Sequence, residues 1–255
     1  MNSIGFVGAG RITRIMLEGW KRAGHLPKEV LVFDSQAPAA SKLAAGYGSV
    51  KVASLAEVAA SDLVIVGLHP PALAEVLPKV AQHLRPDAIV LSLAPKVRLA
   101  ALSRLLGGFA RVARQNPNAP SIVDRGFNPI AFADALSQAD RQALLDLVKP
   151  LGECPIVEDR LIEAYALISA MGPTYLWFQF LELQRLGVEF GLSEKAAREA
   201  VAAMVHGAAA TLLESDLAAA DVIDLVPVKP LTGDEENFVA AYRDHLRPLH
   251  AKLAA

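Results

Sequence analysis

A short apolar run, Ile4–Val7, leads directly into Gly8-Ala9-Gly10-Arg11-Ile12-Thr13, and a helical pattern follows from Ile12 to Ala23. A glycine turn between a strand and a helix can hold a nucleotide pyrophosphate. Its first glycine permits the tight turn, and its second lets the backbone approach the phosphates. The helix start offers free N–H groups at the positive end of the helix dipole. Gly8, Ala9, Gly10, Arg11 and Ile12 are therefore the candidate cradle; the third fingerprint position holds Thr13 where Gly or Ala is usual. A second run, Glu29–Asp34, ends in an acid 24 residues after Gly10. An acid at about that distance binds the ribose 2′-hydroxyl of NAD. Ser35-Gln36-Ala37-Pro38 follow it with no Arg to grip a 2′-phosphate. Asp34 and Ser35 are thus candidates for the adenine ribose, and the reading leans to NAD over NADP.

Other residues suited to chemistry fall where apolar runs end. His69, in Leu68-His69-Pro70-Pro71, is a candidate for contact with the cofactor or for proton donation, or is a plain loop histidine. Lys96 is either a partner for a carboxylate or phosphate or a solvated loop lysine. In Gln115-Asn116-Pro117-Asn118-Ala119-Pro120 two prolines stiffen a polar loop, whose Asn116 and Asn118 suit a carboxamide or a substrate but also suit a turn. Ser169-Ala170-Met171-Gly172-Pro173-Thr174-Tyr175 interrupts an apolar helix with small and polar groups, to face a ligand or to kink for packing. The six histidines are scattered, Cys154 is the single cysteine, and neither a metal constellation nor a nucleophile motif is present. The chemistry must then come from a cofactor that the protein orients.

The elements that position these residues can be read in outline. Ile4–Val7, Val30–Phe33, Leu63–Leu68, Ala88–Leu93 and Arg111–Arg114 read as buried strands alternating with helices, which implies a doubly wound, mostly parallel sheet. Gly126–Ala133 and Pro155–Val157 are expected to add edge strands, and Gln138–Pro150 a helix. After Val157 the pattern turns helical: Asp159–Gly191 with a break at Gly172-Pro173, a helix capped by Ser193 and running to Glu214, and a last helix from Asp234 to Leu253. The expected organisation is a dinucleotide domain over residues 1–157 and an all-α domain over 158–255. The net charge of −2 gives no electrostatic case for nucleic acid or an acidic membrane. The chain's start, with no basic-then-apolar leader, and its lone cysteine point to the cytoplasm. The uncharged stretch Ala164–Leu181 is read as a buried helix of a soluble dimer rather than a membrane span.

The segments Ile4–Gly10, His69-Pro70-Pro71, Ser92-Leu93-Ala94, Pro117–Pro120 and Ser169–Tyr175, in this order, resemble the pyrroline-5-carboxylate reductase family. The resemblance implies a Rossmann domain followed by a helical dimerisation domain, and reduction of 1-pyrroline-5-carboxylate to L-proline with NAD(P)H. By that likeness Gly8, Gly10 and Asp34 hold the adenine end, while Ser54, His69, Pro70 and Ala94 line the cofactor path. Asn118, Ser169, Gly172 and Pro173 lie near the nicotinamide and the substrate. The chain departs from the family pattern at His69 (usually Lys), Ala119 (usually Thr) and Met171 (usually Ser). The family's Ser-Pro-Gly-Gly-Thr-Thr loop, which binds the substrate carboxylate, is replaced by Val226–Asp234, where Lys229 and Thr232 are the candidate substitutes. Two alternatives follow from that replacement: a reductase of a different imine or keto acid, and a nucleotide-binding protein without catalysis.

Overall fold

The computed structural model describes residues 3–94 and 96–254. The chain divides into two compact units: the residues up to Met171 together with those from Leu249 onward, and Gly172–Pro248.

The first unit is built on a seven-stranded sheet. Its strands are β1 (Ile4–Val7), β2 (Val30–Phe33), β3 (Val50–Val52), β4 (Leu63–Val66), β5 (Ile89–Ser92), β6 (Val112–Gln115) and β8 (Ile130–Phe132), in the order β3-β2-β1-β4-β5-β6-β8. β7 (Gly126–Phe127) and β9 (Gly152–Glu153) form a separate two-stranded ribbon. All neighbours in the large sheet run parallel except β8, which is antiparallel to β6. β1, β4 and β5 read IGFV, LVIV and IVLS and are buried throughout, as strands covered on both faces must be. One face packs on α1 (Arg11–Arg22), α2 (Ala37–Ala44) and α6 (Gln138–Val148) through Leu17, Trp20, Leu43 and Leu144. The other packs on α3 (Leu55–Ala59), α4 (Pro70–Ala81) and α5 (Leu99–Leu105) through Val58, Leu73, Leu77 and Leu102. The winding reverses between β1 and β4, and ligands of open α/β sheets bind outside the carboxyl ends of the strands at such a point.

Three details differ from the sequence reading. The single edge strand expected over Gly126–Ala133 is two short strands, because Asn128-Pro129 interrupts it and Pro129 has no N–H for a ladder. Pro155–Val157 contributes only an isolated bridge, Ile130 to Ile156. The compact first unit also extends past residue 157 to Met171. It does so because Ile162, Glu163, Ala166 and Leu167, on α7 (Ile162–Tyr165) and the π-helical turn Ala166–Ala170, are buried against the sheet unit.

The second unit contains α8 (Gly172–Glu189), α9 (Glu194–Glu214), α10 (Ala219–Asp224) and most of α11 (Glu235–Ala254). Gly172 starts a new helix rather than kinking an old one, and Pro173 sits in its first turn, where a missing N–H costs nothing. Gly191, two residues past the end of α8, terminates the helix at φ +100°, with Leu192 N–H on Gly187 O at 3.0 Å. Ser193 then caps α9 by accepting from Ala196 N–H at 3.2 Å. Tyr175 and Tyr242 meet edge to face at 5.8 Å. Within this unit Phe178, Leu213 and Val228 are 60%, 78% and 74% exposed, far more apolar surface than a soluble helical unit leaves to water alone.

Candidate functional site

The carboxyl ends of β1, β2, β4, β5 and β6 carry most of the candidate residues of the first unit. Gly8 has φ +111°, and a Cβ there would lie 2.8 Å from Gly67 O. Its N–H donates to Phe33 O at 2.7 Å, and Gly67 N–H donates to Val7 O at 2.9 Å. Gly8 is thus required by the fold itself. Gly10 differs: it is the N-cap residue of α1, it is exposed, and a Cβ there would meet nothing within 4 Å. Only something outside the chain could need that space. The α1 start above it has no side-chain cap and no acid in its first turn, so its N–H groups and dipole are not neutralised by the protein. These residues fit a nucleotide pyrophosphate, with Ala9, Arg11 and Ile12 completing the turn.

Thr13 belongs to this turn. It is fully buried and donates its hydroxyl to Gly8 O at 2.7 Å, locking the glycine turn from beneath. Asp34 braces it from the other side: Oδ2 accepts from Ala9 N–H and Oδ1 from Gln36 N–H, both at 2.8 Å. A carboxylate has lone pairs to spare after two such bonds, so Asp34 can still accept from a ribose hydroxyl. Ser35 is exposed beside it.

The remaining candidates divide by what already occupies their polar groups. Ser54 follows β3 and is spent on a capping box: its Oγ donates to Glu57 Oε2 at 2.7 Å and accepts from Glu57 N–H at 3.3 Å. The Ser54 hydrogen bond holds the Glu57 carboxyl below its ordinary range. His69 is the exposed N-cap of α4 and makes no cap hydrogen bond; Pro70 opens that helix. Ala94 is buried after β5, its N–H on Ser92 Oγ at 3.3 Å, and exposed Lys96 beyond it takes a left-handed φ of 74°.

Asn118 after β6 is buried and occupied. Its Nδ2 donates to Ser169 O at 3.1 Å, and its Oδ1 accepts from Phe127 N–H at 3.2 Å. It thereby ties the polar loop to the π-helical turn and brings Asn118 and Ser169 together. Ser169 itself donates to Tyr165 O at 2.9 Å. Asn116, two residues earlier, is buried with its Nδ2 unpartnered. Gly172, Pro173, Lys229 and Thr232 belong to the second unit. Thr232 turns both its N–H and its hydroxyl onto Lys229 O, at 3.3 and 3.0 Å, so both of its donors are engaged within the turn. Lys229 is exposed.

A buried ion cluster was not anticipated. Arg114 on β6 is fully buried and donates to Asp159 Oδ1 and Glu163 Oε1, each at 2.5 Å. The Asp159 Oδ2 in turn caps α5 by accepting from Leu99 N–H at 3.1 Å. The sequence did hold the signal: an Arg in a buried strand demands acids, and Asp159 and Glu163 stand four apart on a helical stretch. The cluster pins the segment that carries Ser169 to the sheet. Cys154 is not part of any such chemistry, since burial pushes its thiol up to about 11 against a hydrogen bond from Gln115. Among the described residues no group of His, Cys, Asp and Glu is arranged to hold a metal.

Comparison with known proteins bears on what this arrangement is for. Residues 3–96 match the family described as NADP oxidoreductase coenzyme F420-dependent, and residues 159–230 match pyrroline-5-carboxylate reductase dimerisation. The pyrroline-5-carboxylate reductase of Escherichia coli (strain K12) is 27% identical over 215 residues, covering 83% of this chain and 80% of that protein. That of Methanosarcina acetivorans is 28% identical over 226 residues, 88% of this chain and 83% of its own. The chain is similar to the pyrroline-5-carboxylate reductase family through both its sheet unit and its helical unit. The two matches and these relatives support an NAD(P)-dependent oxidoreductase. The fold agrees: the crystal structure of the Plasmodium falciparum pyrroline carboxylate reductase with NADP bound superposes with a TM-score of 0.81 at 18% identity, over 99% of this chain and 95% of that one. The segment that matches the dimerisation model carries the exposed Phe178, Leu213 and Val228. No described helix is long and apolar enough to cross a membrane, Ala164–Leu181 included.

Proposed function

We propose that the chain reduces the cyclic imine 1-pyrroline-5-carboxylate to L-proline with a nicotinamide dinucleotide, as a homodimer joined through its helical unit. The observation that carries this reading is that relatives named for that reaction align through both the sheet unit and the helical unit, over 83% of the chain. The bound nicotinamide supplies the hydride for the imine carbon, and the imine nitrogen ends up protonated. The chain's part is to orient rather than to exchange protons. An imine that is already protonated needs little acid catalysis, and holding the reactants in register is worth several kcal/mol. The Gly8–Ile12 turn and α1 would hold the pyrophosphate; Asp34 with Ser35 the adenine ribose; His69, Pro70 and Ala94 the path between. Ser169, Gly172 and Pro173 would border the substrate, and Lys229 with Thr232 would meet its carboxylate. Taken alone, Asp34 favours the ribose diol of NADH. The cytoplasm, whose reducing poise suits a free Cys154, is the proposed compartment.

A second reading, another cyclic imine or a keto acid, is favoured by one observation. Thr232 spends its N–H and hydroxyl on Lys229 O, so carboxylate capture there would rest chiefly on the Lys229 charge. Cofactor oxidation followed at the nicotinamide absorbance band decides between them. Turnover fastest with 1-pyrroline-5-carboxylate, among five- and six-membered imines and keto acids, is the expected result. Turnover only with another member supports the second reading. Cofactor binding without turnover on any of them would leave a nucleotide-binding protein.

A further inference from the structure

Arg114 stands one residue before the carboxyl end of β6, with its side chain wholly buried. Its Nη1 donates to Asp159 O at 3.3 Å as well as to Asp159 Oδ1, and its Nη2 donates to Glu163 Oε1. One guanidinium fork thus grips two points on residues 159–163, the stretch that runs through α7 into the π-helical turn. Asp159 carries the grip further. Its Oδ2 accepts from Leu99 N–H at 3.1 Å, at the first residue of α5, where the N-cap Arg98 supplies no side-chain cap. A single side chain therefore joins β6, the start of α5 beyond Ala94 and Lys96, and the segment that carries Ser169.

Stability does not account for this cluster. One guanidinium faces two carboxylates, so the charges do not cancel. Arg114 Nε and Glu163 Oε2 are buried with no hydrogen-bond partner among the described residues. Replacing a buried ion pair by apolar residues of similar volume is often neutral or stabilising. What the ions supply is geometry, because a planar guanidinium fixes two carboxylates in direction as well as in distance. The π-helical turn needs such a fixture. It is a single wide turn, closed by Met171 N–H on Ala166 O at 2.9 Å, and π-helical geometry is rarely self-sustaining. Asn118 holds it at the Ser169 carbonyl, and Arg114 holds it from the other side, through Glu163.

We propose that Arg114 is a positioning residue: through Asp159 and Glu163 it sets the π-helical turn and the start of α5 in the placement that turnover requires. This rests on the reductase reading, in which Ser169 borders the substrate and Ala94 the cofactor path. A misplacement of about 1 Å caused by a change away from the chemistry can slow a reaction about 100-fold.

The test replaces the ions in the whole protein and follows denaturation midpoint, dinucleotide affinity and kcat. R114M/E163L removes both fully buried charges and leaves Asp159 on Leu99 N–H. Its midpoint is expected to be no lower than that of the unmodified protein and its dinucleotide affinity unchanged, while kcat falls about 10–100-fold. E163Q keeps an oxygen for Nη2 and should lose less kcat than E163L, an order that decides the matter even where the double variant does not fold. R111M, at the other end of the strand, breaks the Arg111–Asp140 pair and should leave kcat unchanged. A stable R114M/E163L protein with full kcat would make the cluster purely structural and overturn the proposal. Equal kcat in E163Q and E163L would do the same, as would a loss in R111M as large as in the double variant. Should the unmodified protein turn over no imine or keto acid, the reductase reading falls. Hydrogen exchange at Ala166–Ala170 then decides the clamp by itself: faster exchange in R114M/E163L supports it, and unchanged exchange overturns it.

Discussion

The two glycines of the fingerprint should fail in different ways when each is replaced by alanine. At Gly8 an alanine must adopt φ +111°, a conformation L-residues rarely take, which costs about 1–3 kcal/mol. Its Cβ must also fit 2.8 Å from Gly67 O, a backbone atom fixed by the β1–β4 pairing. The loss expected is about 3 kcal/mol, which for a domain of this size lowers Tm by roughly 6–12 °C. At Gly10 the backbone is at φ −78° and ψ −167°, which any residue adopts, and the added Cβ meets open space. Alanine is a poorer N-cap than glycine by a few tenths of a kcal/mol or more. It also restricts the unfolded chain, a gain of about 0.4–1 kcal/mol. The two cancel, and the stability of Gly10→Ala should stay within about 0.5 kcal/mol of the unmodified protein. Its affinity for dinucleotide should nevertheless fall at least tenfold, because the methyl group occupies the approach to the phosphates. Urea denaturation and fluorescence titration of both variants measure the two quantities independently. A Gly10→Ala protein that keeps full affinity, or that loses as much stability as Gly8→Ala, would refute the assignment of fold to one glycine and ligand to the other.

Four further outcomes are expected. Asn118→Ala strands Phe127 N–H and the Ser169 carbonyl, and should cost about 2–4 kcal/mol by denaturant titration; Asn116→Ala, whose amide nitrogen has no partner, should leave stability nearly unchanged and alter KM. Arg114→Ala leaves Glu163 buried and unpaired, and should lower stability by about 3–5 kcal/mol, read as the denaturation midpoint. Although burial opposes it, hydrogen bonds from Ser137 and Arg111 depress the Asp140 carboxyl, so the contribution of Asp140 is present above its unfolded pKa near 4 and lost as pH falls through the lower folded value. The stability gap between Asp140→Asn and the unmodified protein should therefore be open at pH 7 and narrow as pH falls below the unfolded value, in a denaturation series from neutral to acid pH. Leu213→Glu, at a position 78% exposed in the single chain, should shift sedimentation toward the monomer without loss of helical circular dichroism.

How much of this was legible in the sequence depends on whether a signal was local. β1, β4 and β5 were readable because a run such as Leu63–Val66 has no polar residue to confuse it. β3 was not, since Val50-Lys51-Val52 is three residues long, alternates, and is a strand only because β2 lies beside it. The π-helical turn was equally hidden. Ser169–Pro173 announced an interruption, but the interruption is a wide turn completed by Met171 N–H on Ala166 O at 2.9 Å, followed by a fresh helix.

The candidate site shows the same division. Gly8, Gly10 and Asp34 could be found by spacing, because a chemical requirement fixes their separation along the chain. Their partition into fold and ligand duties could not, because it depends on whether Gly67 or empty space lies opposite the missing side chain. Ser54 and Asn118 illustrate the cost of reading residue type alone: both are polar and both end a strand, yet their polar groups are already occupied by Glu57, Phe127 and Ser169.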